Sequence, residues 1–169
     1  VESKWVNIAF QEMVKRAPVN VRPLLLVEKR RSYQGAALFA MANQTAARLS
    51  DATSRPVDYE SEARSLADWL VTHSTDGYAG YCAGYSHPIQ HLDGRGHPSE
   101  PDIVNTSFGV KALLRAARYD DRYAEVVADA DAFVTEDLRY RPPDSGRGAV
   151  IDYHTKHPQE YYTINAGAL

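Results

Sequence analysis

The chain has 169 residues, 44% of them hydrophobic and 24% charged, with a formal net charge of -3. That size suits one domain with a real core, and the acidic balance provides no global positive field for nucleic acid. The single cysteine, Cys82, excludes an internal disulfide and any cysteine-rich zinc module and fits a reducing, cytoplasmic compartment. No apolar run approaches the roughly 20 residues of a membrane span; Leu24-Leu25-Leu26-Val27 is far too short.

In chain order, Trp5 to Arg16 reads as a first helix, with Trp5, Ile8, Ala9, Met13 and Val14 close to one face, and Pro18 stops it. Val19 to Arg31 contains Pro23 and a leucine-rich run and should be extended or irregular. Ser32 can cap a helix from Tyr33 to Leu49 that is apolar nearly all round, the pattern of a buried helix. Asp58 to Ser74 returns to an amphipathic helix, with Ala63, Leu66, Ala67, Leu70 and Val71 as its stripe and Trp69 at the edge.

A long segment from Thr75 to Val104 follows, rich in Gly, Tyr and His. Loops of this length are uncommon in compact domains and usually functional or disordered; this one is too aromatic for a flexible linker. Val104 to Arg118 is again an apolar-rich helix with Asp102 as candidate N-cap. Asp120 or Asp121 caps one more, which buries Tyr123, Val126, Val127, Ala130, Phe133 and Val134 and leaves Glu125, Asp129 and Glu136 on its wetter side. Arg139 to Glu160 is a second long loop, in which Ala149-Val150-Ile151 could be a short strand. Tyr161 to Leu169 reads as the start of a further helix without a terminator, so residues 1–169 are expected to form a single domain that is a fragment of a longer one.

The order has a pattern. A more buried helix is followed by an amphipathic one and a long loop, and the pair then repeats, with buried helices starting near Tyr33, Val104 and Tyr161. A closed ring of helical hairpins needs that alternation: inner helices covered on both sides, outer helices wet on one face. In such a ring the loops entering the inner helices share one mouth. The alternative is an ordinary helical bundle whose long loops are unrelated. The expected class is all-α, an incomplete α/α toroid with its long loops at one end.

Short motifs support the same architecture. Pro18-Val19-Asn20-Val21-Arg22-Pro23-Leu24-Leu25 is followed by Gly35-Ala36-Ala37-Leu38 and Trp69-Leu70. Then come the Gly-Tyr-rich loop, Asp102-Ile103-Val104-Asn105-Thr106-Ser107-Phe108, and Tyr162-Thr163-Ile164-Asn165-Ala166. In these the chain resembles α/α-toroid proteins of the six-hairpin glycosidase-like and terpenoid-cyclase-like type, and is most similar to poorly characterised members found with surface-polysaccharide biosynthesis genes. The resemblance implies a helical toroid with more hairpins than this chain supplies. The aspartate-rich DxDD-type motif and the repeated QxxxxxW elements of triterpene cyclases are absent, which counts against terpene chemistry.

Three groups of residues carry possible chemistry. His87, His91, Asp93 and His97 have metal-ligating side chains, but in a loop their spacing constrains little; they are equally polar loop residues, or a general base, and no metal is expected. Asp93, Glu100, Asp102 and Asp152 lie in the two long loops, where hydrolysis of a glycosidic bond would want two carboxylates; for Asp102 capping is favoured over catalysis. Tyr78, Tyr81, Tyr85, Tyr153, Tyr161 and Tyr162, with His154 and His157, flank the same mouth, and aromatic faces stack on sugar rings. Asn105, Thr106 and Asn165 begin inner helices, where they either face a ligand or satisfy helix amides.

The catalytic candidates are His87, His154, Asp102 and Tyr81; the substrate-binding candidates are Tyr78, Tyr85, His91, Asn105, Tyr162 and Asn165. No Walker loop, GxGxxG, GxSxG or HExxH motif is present, so no cofactor is expected. The expected activity is hydrolase- or lyase-like action on a surface polysaccharide, with a carbohydrate as partner and no nucleic acid or membrane span. The alternative is a non-catalytic glycan-binding or scaffold module of a polysaccharide-assembly complex.

Overall fold

The computed structural model describes residues 3–26, 29–49, 57–90, 95–138 and 151–155. The fold is all-α. Its helices are α1 (Lys4–Arg16), α2 (Tyr33–Arg48), α3 (Tyr59–Thr72), α4 (Ile103–Ala116), α5 (Arg122–Val126) and the short α6 (Ala130–Ala132), which runs into a π-helical turn, Phe133–Asp137. Strand pairing is confined to a two-residue antiparallel ladder in the long loop, β1 (Ile89–Gln90) with β2 (Arg95–Gly96), and to isolated bridges. No described helix is long and apolar enough to cross a membrane.

Side-chain hydrogen bonds fix the direction of the three main helices. At the start of α2, the Tyr33 hydroxyl donates to the Leu70 carbonyl at the end of α3, 2.8 Å away, so these two helices run antiparallel. Near the start of α3, Arg64 Nη1 donates to the Tyr119 carbonyl just past α4 at 3.2 Å, which makes α3 antiparallel to α4 as well. It follows that α2 and α4 are parallel neighbours. Their starts are joined by the Gln34 amide donating to Asn105 Oδ1 at 3.1 Å. Further along, Gln44 Nε2 donates to the Ala112 carbonyl at 3.1 Å, and Arg118 Nη2 donates to the Gln44 carbonyl at 2.9 Å.

Small residues set how closely these helices approach. The shared core is built on Ala36, Ala37 and Ala40 of α2, Ala67 and Leu70 of α3, and Ala112, Leu113 and Ala116 of α4, with Tyr33, Tyr81 and Tyr123 filling the gaps. Gly109 is the tightest point. A Cβ there would lie 2.5 Å from the Tyr81 hydroxyl oxygen and 2.9 Å from Tyr33 Cε1. A second, smaller core gathers Cys82, Ile103, Phe133 and Leu138, with Tyr78, Ile151 and Tyr153 against it.

Three expectations change. The apolar stripe of α1 is not a core face: α1 buries no residue, and Trp5 and Met13 are 71% and 62% exposed. Nor is α2 covered all round. It packs on α3 and α4 with one side only, which leaves Phe39 68% and Leu38 46% exposed. The helix expected to run unbroken beyond Asp121 is interrupted at Asp129. There the loop at Gly80-Tyr81 docks on the backbone, the Tyr81 amide donates to Asp129 Oδ1 at 3.0 Å, and any side chain at Gly80 would overlap the Asp129 carbonyl. Asp129 therefore holds the loop instead of merely facing water. Of the expected strand Ala149-Val150-Ile151, only Ile151 lies among the described residues, and the bridge that forms is Asp102 with His154.

The packing at Gly109 generates a prediction. Gly109→Ala should gain about 1 kcal/mol of helix propensity, yet the added methyl must push apart Tyr33 and Tyr81. The expected net result is a loss of about 1–3 kcal/mol, read as a lower urea midpoint at unchanged m-value. A midpoint that rises would contradict this packing.

Candidate functional site

The start of α4 is where the two long loops meet. An α-helix begins with four backbone amides that have no partner inside the helix. Here all four are taken. The Asp102 amide donates to the Ala83 carbonyl of the first long loop at 3.1 Å, and the Ile103 amide donates to the Tyr153 carbonyl of the second at 2.9 Å. The Asp102 carboxylate takes the other two, from Val104 and Asn105, the latter at 2.8 Å. Asp102 is thus the N-cap, and its second oxygen accepts from Asn105 Nδ2 at 2.6 Å. Burial pushes its carboxyl above the usual range, and the Asn105 bonds offset part of that push.

Around this buried end lies a cluster of ionisable side chains. Ser99 takes a left-handed φ of 61° and turns the chain into Glu100. The His97 amide donates to Glu100 Oε2 at 3.3 Å. The other oxygen, Glu100 Oε1, faces His154 Nδ1 at 3.8 Å. That is an ion pair when the ring carries two protons, but it is too long for a hydrogen bond. Glu100 Oε1 is buried and makes no hydrogen bond among the described residues. The two side chains are 8% and 10% exposed. Beside them, Tyr153 donates a hydrogen bond to the Tyr85 hydroxyl, which is also bonded to Asn105. Burial first, and the nearby Asp102 charge second, raise both tyrosines, so their hydroxyls keep their protons at neutral pH and act as donors.

Of the catalytic candidates, His154 and Asp102 stand at this cluster as bridged partners. His87 is one ring away, edge-on to Tyr85 with centroids 6.0 Å apart. Tyr81 is elsewhere: it lies in the core against Gly109, hydrogen-bonded to Tyr33, and burial pushes its hydroxyl up to about 12. Of the binding candidates, Tyr85 and Asn105 join the cluster, while Tyr78 packs edge-on to Phe133 at 6.0 Å in the smaller core. His91, Tyr162 and Asn165 lie outside the described residues, as do Asp93, His157 and Tyr161. Among the described residues, no group of three or more His, Cys, Asp and Glu side chains could hold a metal ion.

Glu100 and Tyr153 complete the cluster. Nothing in their own spacing marks them. Glu100 sits in a Pro-Ser-Glu-Pro stretch that reads as a turn, and Tyr153 is one of many loop tyrosines. The available signal was adjacency: each stands one or two residues from a stronger candidate, Asp102 or His154.

A cavity of about 160 Å³ opens nearby, lined in part by Arg31, Trp69, His73, Gly84, Ser86 and Ser99. It has flat walls. Trp69 stacks on His73 with centroids 4.2 Å apart, and the Arg31 guanidinium sits 5.1 Å above the Trp69 ring. No known family matches the chain, and neither curated proteins nor solved structures include a significant match.

The raised hydroxyls predict an alkaline limit to stability. Burial keeps Tyr33, Tyr81 and Tyr153 neutral in the folded state beyond the ordinary tyrosine value. The stability tied to Tyr81 is therefore complete below pH 10.0 and lost as pH rises toward about 12. In a tyrosinate absorbance titration, a buried subset should ionise only together with loss of the helical circular dichroism signal. Ionisation of every tyrosine near pH 10.0, with the fold intact, would contradict the burial.

Proposed function

We propose that this chain is part of an α/α toroid that binds a glycan at the mouth where α2 and α4 begin and cleaves it by acid–base chemistry, in the manner of a hydrolase or lyase. The ring is supported by the parallel neighbours α2 and α4 with α3 antiparallel to both. The exposed Leu38, Phe39 and Leu114 are side chains that further hairpins would cover. The sequence resemblance to α/α-toroid proteins of surface-polysaccharide metabolism points the same way.

The observation that carries the chemistry is the meeting of Glu100 and His154 beside Tyr85 and Tyr153. In this reading His154 takes a proton, Glu100 stabilises the resulting imidazolium, and a protonated tyrosine gives a proton to the leaving oxygen. A hydrolase working through two carboxylates fits less well, because both oxygens of Asp102 are committed to the helix cap. A second reading, a glycan-binding module without catalysis, is favoured by one fact: His154 is only 8% exposed.

Reducing-end and unsaturated-product assays against a glycan panel, run beside direct binding, separate these readings. For the catalytic reading, His154→Ala should lower turnover about 100-fold or more while leaving binding within a few-fold, and Tyr153→Phe should also slow it. Binding without turnover would leave the binding module. Neither binding nor turnover with any glycan would overturn both.

A further inference from the structure

We infer that the glycan taken at this mouth is an acidic one, bearing carboxylates, and that Lys29, Arg30 and Arg31 form the rim that recognises it; this rests on the glycan reading above. The chain is acidic as a whole, but its charge is unevenly placed. The first 31 residues hold seven Lys and Arg against three Glu, whereas the remaining 138 hold twelve basic against nineteen acidic residues. The basic excess ends in three consecutive cations, Lys29-Arg30-Arg31, immediately before the Ser32 cap of α2.

Three cavities share those cations. One of about 670 Å³ lies over the outer side of α2 and is lined by Lys29, Arg30, Arg31, Asn43 and Phe39 among others. One of about 970 Å³ is bounded by Arg22, Lys29, Arg30 and His87 together with Leu25 and Leu26. The third is the small cavity where Arg31 overhangs Trp69. The cations therefore do not merely decorate a convex surface. They run along a concave path from the side of α2 to His87 and to the serines that flank Tyr85. A neutral glycan has no use for such a rim, whereas guanidinium groups pair with carboxylates in a two-pronged, directional way.

The same class of ligand fits the acid–base cluster. In a sugar with a carboxylate on C5, the C5 proton becomes acidic once a cation neutralises that carboxylate. His154 then takes the C5 proton. The electron pair of the C–H bond forms the C4–C5 double bond, the C4–O bond breaks, and the departing oxygen receives a proton from the tyrosine hydroxyl. The balance closes without water, oxidant or metal, which makes the chemistry an elimination.

The test compares binding and cleavage of polygalacturonate, the same polymer with its carboxylates reduced to alcohols, dextran sulfate, and duplex DNA. The wild-type chain is set against a Lys29→Gln/Arg30→Gln/Arg31→Gln variant and a control, Lys15→Gln/Arg16→Gln, whose cations line none of these cavities. The expected result is preference for polygalacturonate, unsaturated product, and a loss of affinity of about tenfold or more in the rim variant but not in the control. Equal affinity for the reduced polymer, or an unaffected rim variant, overturns the acidic preference and leaves the glycan reading standing. Equal binding of dextran sulfate or DNA, or equal weakening in the control, overturns it as well, since the rim would then be a general anion patch. No binding to either form of the polymer, alongside silence across the neutral glycan panel, overturns the glycan reading itself.

Discussion

The start of α4 is the joint on which the structure turns. Burying a helix N-terminus strands polar amides unless each finds a partner, and each stranded group costs about 1–3 kcal/mol. The fold supplies the partners from three places: Ala83 in one long loop, Tyr153 in the other, and the Asp102 side chain in the helix itself. The requirement works in both directions. The loops satisfy the helix end, and the helix end fixes the loops. That constraint brings residues 83–85, 99–102 and 152–154 to one place.

Asn105 extends the joint to the neighbouring helix. It is fully buried, with Nδ2 donating to Asp102 and Oδ1 accepting from the Gln34 amide of α2. One side chain thus sets the start of α2 level with the start of α4 and touches Tyr85 as well. The mouth and the helix packing are therefore not separable. A residue that aligns two helices also orients the tyrosine that faces His87 and Tyr153.

Much of the helical scaffold was legible because it depends on local chemistry. The cap residues Ser32, Asp58 and Asp102 are each followed three positions on by an amide that their side chain accepts from. The stripe Ala63, Ala67, Leu70 repeats at helical spacing and is buried. What was not legible depends on contacts between distant segments. The break at Asp129 comes from a glycine some fifty residues earlier that docks there. Tyr81 looks like its neighbours Tyr78 and Tyr85, yet only Gly109 opposite it decides that it enters the core. Likewise the pairing of Glu100 with His154 requires a bridge between two loops, which no periodicity announces.

The central claim is that both long loops are anchored on the start of α4. Native-state amide hydrogen exchange followed by NMR tests it most directly, because the first amides of a helix exchange quickly when only solvent covers them. If the Asp102 and Ile103 amides are bound to Ala83 and Tyr153, they should be protected to the same order as the core amides of Ala112 and Leu113. Protection of Asp102 with rapid exchange at Ile103 would mean that the second loop does not dock. The shared mouth, with its Glu100–His154 pair, would then not exist.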